Sequence, residues 1–287
     1  RAKRDFLQSP KHRKIYIMNN ISKLMKLRII IFITLLILLS ILPIAVAEEQ
    51  VVINSKDWQE VYSGMIYAKI KGVDVHYIVE ETQGILLLKD VLDKAKKEVL
   101  LVEPEDNSFI FGYKEKLEKE EFKVETLSSG GEEKNLQLAR RAVEQQNVDS
   151  FIVIDDKLGY DAISVAPYAS MTKSFVLFAN KNNIDRVSDF LIENAQQILL
   201  YGGVDREVKE ALKPLNPDVI GTGDRYTDNI EIVKKFLDIR ATKQIYLTNG
   251  EFIEPGFFNN EFPALLIGTS NIPNNVVDFI LESDVRV

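Results

Sequence analysis

The 287-residue chain carries 36 Lys and Arg against 43 Asp and Glu, for a formal net charge of −7, and it contains no cysteine. That balance gives no attraction to nucleic acid or anionic surfaces, and the missing thiols exclude disulfides and thiolate metal sites. Only His12 and His76 are present. A Ser-His triad would therefore have to use His76, and no G-x-S-x-G elbow exists to pair with it.

In chain order, residues 1–28 form an upstream stretch and a basic n-region, with Lys23, Lys26 and Arg28 at its carboxyl end. Residues 29–47 hold an uncharged run to Leu42, then Pro43 and the small-residue site Ala45-Val46-Ala47. That is the order of a secretory signal peptide, and cleavage after Ala47 is the expectation. An uncleaved anchor is the alternative, because the segment is almost long enough for a bilayer core of roughly 30 Å. Either reading puts the body of the protein outside the cytoplasm.

The body is an internal repeat. Residues n and n + 101 match without a gap from Asn54/Asp155 through Ser63/Ser164 and Tyr67/Tyr168 to Val75/Val176. Residues n and n + 94 match from Asn135-Leu136 on Asn229-Ile230 through Ile154-Asp155 on Thr248-Asn249. The resulting units are 48–147, 148–241 and 242–287, the last corresponding to the first strand–helix–strand half only. A chain built by copying one unit makes a scaffold or binding surface more readily than a catalyst.

Within the units, Lys97 to Val102, Phe151 to Ile154, Phe175 to Ala179, Gln197 to Tyr201 and Gln244 to Leu247 are short Val/Ile/Leu/aromatic runs, expected as strands buried on both faces. Gly112 to Phe122, Glu133 to Gln146, Arg206 to Lys213 and Asp228 to Arg240 show apolar residues three and four apart, the mark of amphipathic helices. The predicted class is α/β, with tandem Rossmann-like units whose mostly parallel sheets are flanked by helices. Ligand sites in such sheets lie beyond the carboxyl ends of the strands. The abundance of Ile, Lys and Glu suits a thermophile, although a run such as Lys114 to Lys123 is first of all a solvated helix face.

Four pieces occur together in order: Tyr160-Asp161-Ala162-Ile163, Ala166-Pro167, Gly202-Gly203, and Gly223-Asp224-Arg225-Tyr226. In this combination the chain resembles the cell-wall-binding repeat 2 family, as an archaeal, surface-layer-associated example. The resemblance covers the middle unit fully and the others weakly. It implies Rossmann-like units associated in threes, located in the cell envelope, with anionic wall polymers held in grooves between units. The first unit departs from the pattern. Gly130-Gly131-Glu132 stands in place of Asp224-Arg225-Tyr226, Glu60-Val61 in place of Asp161-Ala162, and Glu103-Pro104 in place of Gly-Gly. In the third unit Glu254-Pro255 falls at the Asp161 position.

Candidate ligand or inter-unit contacts are Tyr160, Asp161, Gly202, Gly203, Asp224, Arg225 and Tyr226. Asp224 sits where a helix N-cap belongs, and Arg225 with Tyr226 offers a donor fork and an amphipathic ring suited to docking one unit on another. Capping and docking are the structural reading of these residues, and ligand contact is the functional one. A dinucleotide loop at Gly221-Thr222-Gly223 is opposed by Tyr226 at the third glycine position. Asp155-Asp156 lacks the spacing of a calcium loop, and no catalytic residue, cofactor or metal is expected.

The reading is a secreted, non-catalytic envelope protein, either a surface-layer subunit or a surface-layer-associated cell-wall-binding module. Its expected partners are an envelope polymer or other surface-layer subunits, homo-oligomers included, with no nucleic acid and with membrane contact only through the N-terminal segment. The alternatives are an extracytoplasmic binding protein for a cell-surface polysaccharide and, more remotely, a nucleotide- or sugar-processing α/β enzyme.

Overall fold

The computed structural model describes residues 49–104, 106–127, 133–283 and 285–286. The expected signal segment at 29–47, the basic stretch before it and Gly130-Gly131-Glu132 lie outside these residues. Among the described residues, no helix is long and apolar enough to cross a membrane.

The first sheet is built from β1 (Glu49–Ile53), β2 (Asp74–Tyr77), β3 (Glu98–Val102) and β4 (Lys123–Leu127), in the order β2-β1-β3-β4. The second repeats it with β5 (Ser150–Asp155), β6 (Phe175–Ala179), β7 (Gln197–Tyr201) and β8 (Asp218–Ile220), in the order β6-β5-β7-β8. All pairings are parallel. Buried runs such as Phe151 to Ile154 have no polar face because helices cover both sides of the sheet. A third sheet pairs β9 (Tyr246–Thr248) with β10 (Ala264–Leu266), again in parallel. Arg286 bridges Gln244 in parallel, which repeats the placement of β7 beside β5. Helix α9 (Asn274–Glu282) precedes this bridge, so the third unit reaches further into the repeat than its first half.

The remaining helices are α1 (Trp58–Lys71), α2 (Glu81–Leu86), α3 (Tyr113–Lys119), α4 (Lys134–Gln146), α5 (Gly159–Thr172), α6 (Ile184–Asn194), α7 (Arg206–Leu212) and α8 (Arg225–Ile239). The helix-like stretch anticipated after the opening strand of the third unit is instead the short 3-10 turn Pro255–Asn259. Pro255 lacks an amide donor and Asn260 turns left-handed at φ 50°, so no α-helical ladder extends through it.

The α1 and α5 helices and the 255–259 turn pack on one another. Both helices are apolar or small nearly all round, which fits burial at a centre and not at a surface. Tyr62 joins the three. Its hydroxyl donates to Ala162 O at 2.8 Å, and its ring lies 5.2 Å from Phe258 and 5.7 Å from Phe178.

The junctions between units repeat as well. Gln59 Nε2 donates to Asp156 O at 2.6 Å. One unit later, Tyr160 packs on Gly250, whose φ of +78° brings the backbone so close that a Cβ there would lie 2.7 Å from Tyr160 Cβ. A second shared contact is made by asparagine. Asn135 of α4 donates to Val176 O at 2.9 Å and accepts from Phe178 N at 3.2 Å. Asn229 of α8 donates to Ala264 O at 2.9 Å and accepts from Leu266 N at 2.7 Å. In each case one buried amide closes the open edge of the next unit's sheet, as a paired strand would.

Candidate functional site

Residues Tyr160, Asp161, Gly202, Gly203, Arg225 and Tyr226 come together beyond the carboxyl ends of β5 and β7. These are the strands where the order of the second sheet reverses. The guanidinium of Arg225 lies 5.0 Å from the Tyr160 ring and 4.6 Å from the Tyr226 ring, and it donates to the Tyr226 hydroxyl. Tyr160 in turn rests on Gly250 of the third unit. The stack therefore joins the second unit to the third.

Asp224 stands apart from this stack. As the N-cap of α8 its Oδ2 accepts from Thr227 N at 3.0 Å, and Asn275 of α9 donates to the same oxygen at 3.1 Å. These donors hold its carboxyl below the ordinary carboxylate range, the Thr227 hydroxyl foremost. Its role is to cap α8 and to tie it to α9.

The two glycines differ. Gly202 has a φ of +76°, and a Cβ there would lie 2.5 Å from Asp161 Oδ2, so both its backbone and its neighbour require glycine. Gly203 has no positive φ, and a Cβ would meet nothing within 4 Å. Asp161 beneath them is 2% exposed, and its Oδ2 has no protein hydrogen-bond partner. Burial raises its pKa to about 7, the charges of Asp228 and Asp155 add to the rise, and the Gly203 amide and Arg225 oppose it.

Beside this centre a cleft of about 440 Å³ opens between Asp156, Lys157, Asn180, Asn182, Asp205 and Glu207. Lys157 Nζ contacts Asp205 at 2.9 Å and Asp155 at 3.4 Å, while Asn180 donates to Asp156. Amides, carboxylates and the ammonium groups of Lys157 and Lys181 in an open cleft are suited to hydroxyl-rich ligands, which both donate and accept hydrogen bonds. The wider cleft at the amino ends of the strands, about 470 Å³, is lined by Ser150, Thr172 and Ser174, whose hydroxyls bond one another.

His76 lies on the edge strand β2, where burial lowers its pKa against the opposing charge of Asp74. Among the described residues no cluster of three His, Asp or Glu has metal-binding geometry. The sequence reading did not single out Asp228 or the cleft residue Asn180. Asp228 is 2% exposed and accepts from Thr222 N at 2.7 Å and Thr222 Oγ1 at 2.8 Å. Its place on the buried face of α8, one residue before Asn229, was available from the helical period.

No family model matches the chain, and no curated protein matches it. Solved structures do. Cwp6 from Clostridium difficile superposes with a TM-score of 0.59 at 12% identity over 79% of this chain and 38% of its own. Cwp8 from Clostridium difficile gives 0.58 at 15% identity over 82% of this chain and 47% of its own. This chain shares the fold of two cell-wall proteins. It spans less than half the length of either.

Proposed function

We propose that the protein is a non-catalytic component of the cell surface, a surface-layer subunit or a surface-layer-associated module that holds an envelope polymer or neighbouring subunits. The observation that carries this reading is the fold shared with Cwp6 and Cwp8, which runs through more than three quarters of the chain. The motif residues fit it, since Tyr160, Arg225 and Tyr226 knit units together and leave the cleft at Asp156 and Asn180 as the open polar surface. The secretory character of residues 29–47 agrees with the location. Fractionation of cells producing the full chain tests it: the protein is expected with the envelope, and recovery only from the cytosol overturns the proposal.

A second reading, an extracytoplasmic binding protein for a cell-surface polysaccharide, is favoured by the amide- and carboxylate-lined cleft at the strand ends. Retention of purified envelope glycan by the protein, lost on Asn180→Ala, supports this reading. Ordered arrays in electron micrographs without glycan retention favour the first.

A further inference from the structure

The amino ends of the strands carry different side chains in the first two units, although the repeat keeps their register. The matching ladders set Glu49, Tyr67, Lys71 and Val73 of the first unit on Ser150, Tyr168, Thr172 and Ser174 of the second. Through the next two strands Glu125 falls on Asp218, and along the last helix Arg141 falls on Lys235. In the first unit these positions form a closed network. Lys71 Nζ donates to Glu49 and, at 2.9 Å, to Gln145 Oε1, while Arg141 Nη2 donates to Glu125 Oε2 at 2.9 Å. The second unit has short hydroxyls where the Lys71 and Glu49 pair stands, and there the cleft of about 470 Å³ opens.

The hydroxyls in this cleft have a direction. Thr172 Oγ1 donates its one proton to Tyr168 O at 2.9 Å, one helical turn back. Ser174 must then donate to Thr172 Oγ1 at 2.8 Å, and Ser150 to Ser174 Oγ, also at 2.8 Å. The chain ends on Ser150 Oγ, which has lone pairs left and no proton to offer. That is the position from which Glu49 accepts the Lys71 ammonium in the first unit. Asp149 and Asp218 bring two carboxylates to the lining against the single ammonium of Lys235, and Leu191, Ile192 and Leu215 supply an apolar patch. The charge of Asp218 is felt at the Tyr168 ring, whose pKa it raises together with burial.

We propose that the cleft at the amino ends of β5 and β7 binds a small polyhydroxylated ligand bearing an ammonium group, of the class of an amino sugar. The ligand's ammonium takes the place that Lys71 holds in the first unit, facing Ser150 Oγ and the Asp218 carboxylate. Its hydroxyls meet the remaining polar groups, and its C–H face lies on the apolar patch. The excess of carboxylates in the lining disfavours an anionic ligand. The volume falls within the roughly 300–1,000 Å³ of small-molecule sites. The cleft lies at the opposite ends of the strands from Asp156 and Asn180, and it stands whether or not those residues hold a glycan.

The test titrates the full chain with glucosamine, glucose and glucuronate at mildly acidic pH, where the amine is charged, and follows backbone amide chemical shifts. Glucosamine is expected to bind and to shift the amides of Ser150 and Ser174. Glucose is expected to bind about tenfold more weakly for want of a charged hydrogen bond, and glucuronate not to bind. Asp218→Asn, at an exposed position, is expected to remove the preference for glucosamine over glucose. Ser150→Glu combined with Thr172→Lys, which rebuilds the first unit's ion pair inside the cleft, is expected to abolish binding. Asn180→Ala, in the other cleft, is expected to leave it unchanged. Equal binding of the three sugars, no binding of glucosamine at tens of millimolar, a preference that survives Asp218→Asn, or shifts confined to Asn180 and its neighbours each overturns the proposal.

Discussion

Lys134 Nζ lies 2.9 Å from Glu60 Oε1 in a nearly dry ion pair, with 4% and 16% of the two side chains exposed. The repeat places Asp228 and Asp161 at the same two positions of the second unit. Where the first unit joins opposite charges between its central helix and its last, the second sets two carboxyls there. The first arrangement is settled by attraction, the second by a proton.

The Asp161 carboxyl therefore governs a pH response. With its pKa at about 7 when folded, the folded chain holds a proton that the unfolded chain has already released between pH ~4 and ~7. Stability is highest below that window, falls as pH rises through it, and stays reduced above pH 7. Asp161→Asn, neutral throughout, is expected to flatten the profile and to gain on the order of 2–4 kcal/mol at pH 8. Urea unfolding from pH 4 to 8 checks this, and an unchanged slope in the variant refutes it.

The ion pair of the first unit predicts a different pattern. Lys134→Met strands the Glu60 carboxylate and is expected to cost about 3 kcal/mol, whereas Lys134→Met combined with Glu60→Leu is expected to return most of that loss. Equilibrium denaturation of the two single variants and the double variant gives the coupling. Additive losses would mean that the contact contributes nothing.

Gly202 and Gly203 are adjacent but unequal. Gly202→Ala drives a methyl against Asp161 and forces a left-handed backbone on alanine, for an expected loss of roughly 1–3 kcal/mol. Gly203→Ala is expected to stay within about 0.5 kcal/mol of the parent. Thermal unfolding of both variants tests the contrast, and equal effects would contradict it.

Removing the amide from α8 with Asn229→Ala leaves Leu266 N–H and Ala264 C=O without partners. The expected cost is about 2–4 kcal/mol, with faster hydrogen exchange at Leu266 and little change at Phe178. Exchange that rises equally at both amides would mean that Asn229 supports the whole molecule and not the third unit's edge.

Much of the fold was legible because it rests on periodicity. Phe175 to Ala179 and Gln197 to Tyr201 were bounded as they stand, since continuous apolar runs between helical patterns read as buried parallel strands. The 255–259 turn was not legible from the repeat alone. Shared strands suggested a shared helix, and the local effect of Pro255 prevailed. Of the site, the motif residues Tyr160, Asp161, Gly202 and Arg225 come together in the structure, and only Gly202 of the glycine pair has a conformation that needs glycine. Asn135 and Asn229 were aligned with each other in the sequence, yet their role depends on the edge of a neighbouring sheet, a contact 35 to 43 residues distant. Only the packing of units makes that contact visible.

That separation in sequence has a direction. Asn135 precedes β6 and Asn229 precedes β10, so during synthesis each plug leaves the ribosome before the strand it closes. A bare strand edge is the surface through which nascent chains recruit one another into aggregates. Here each new edge emerges next to a helix that can already cover it. The order of the repeat thus shortens the time in which a neighbouring nascent chain could capture an edge, and reversing that order would lengthen it without altering a single contact in the finished protein.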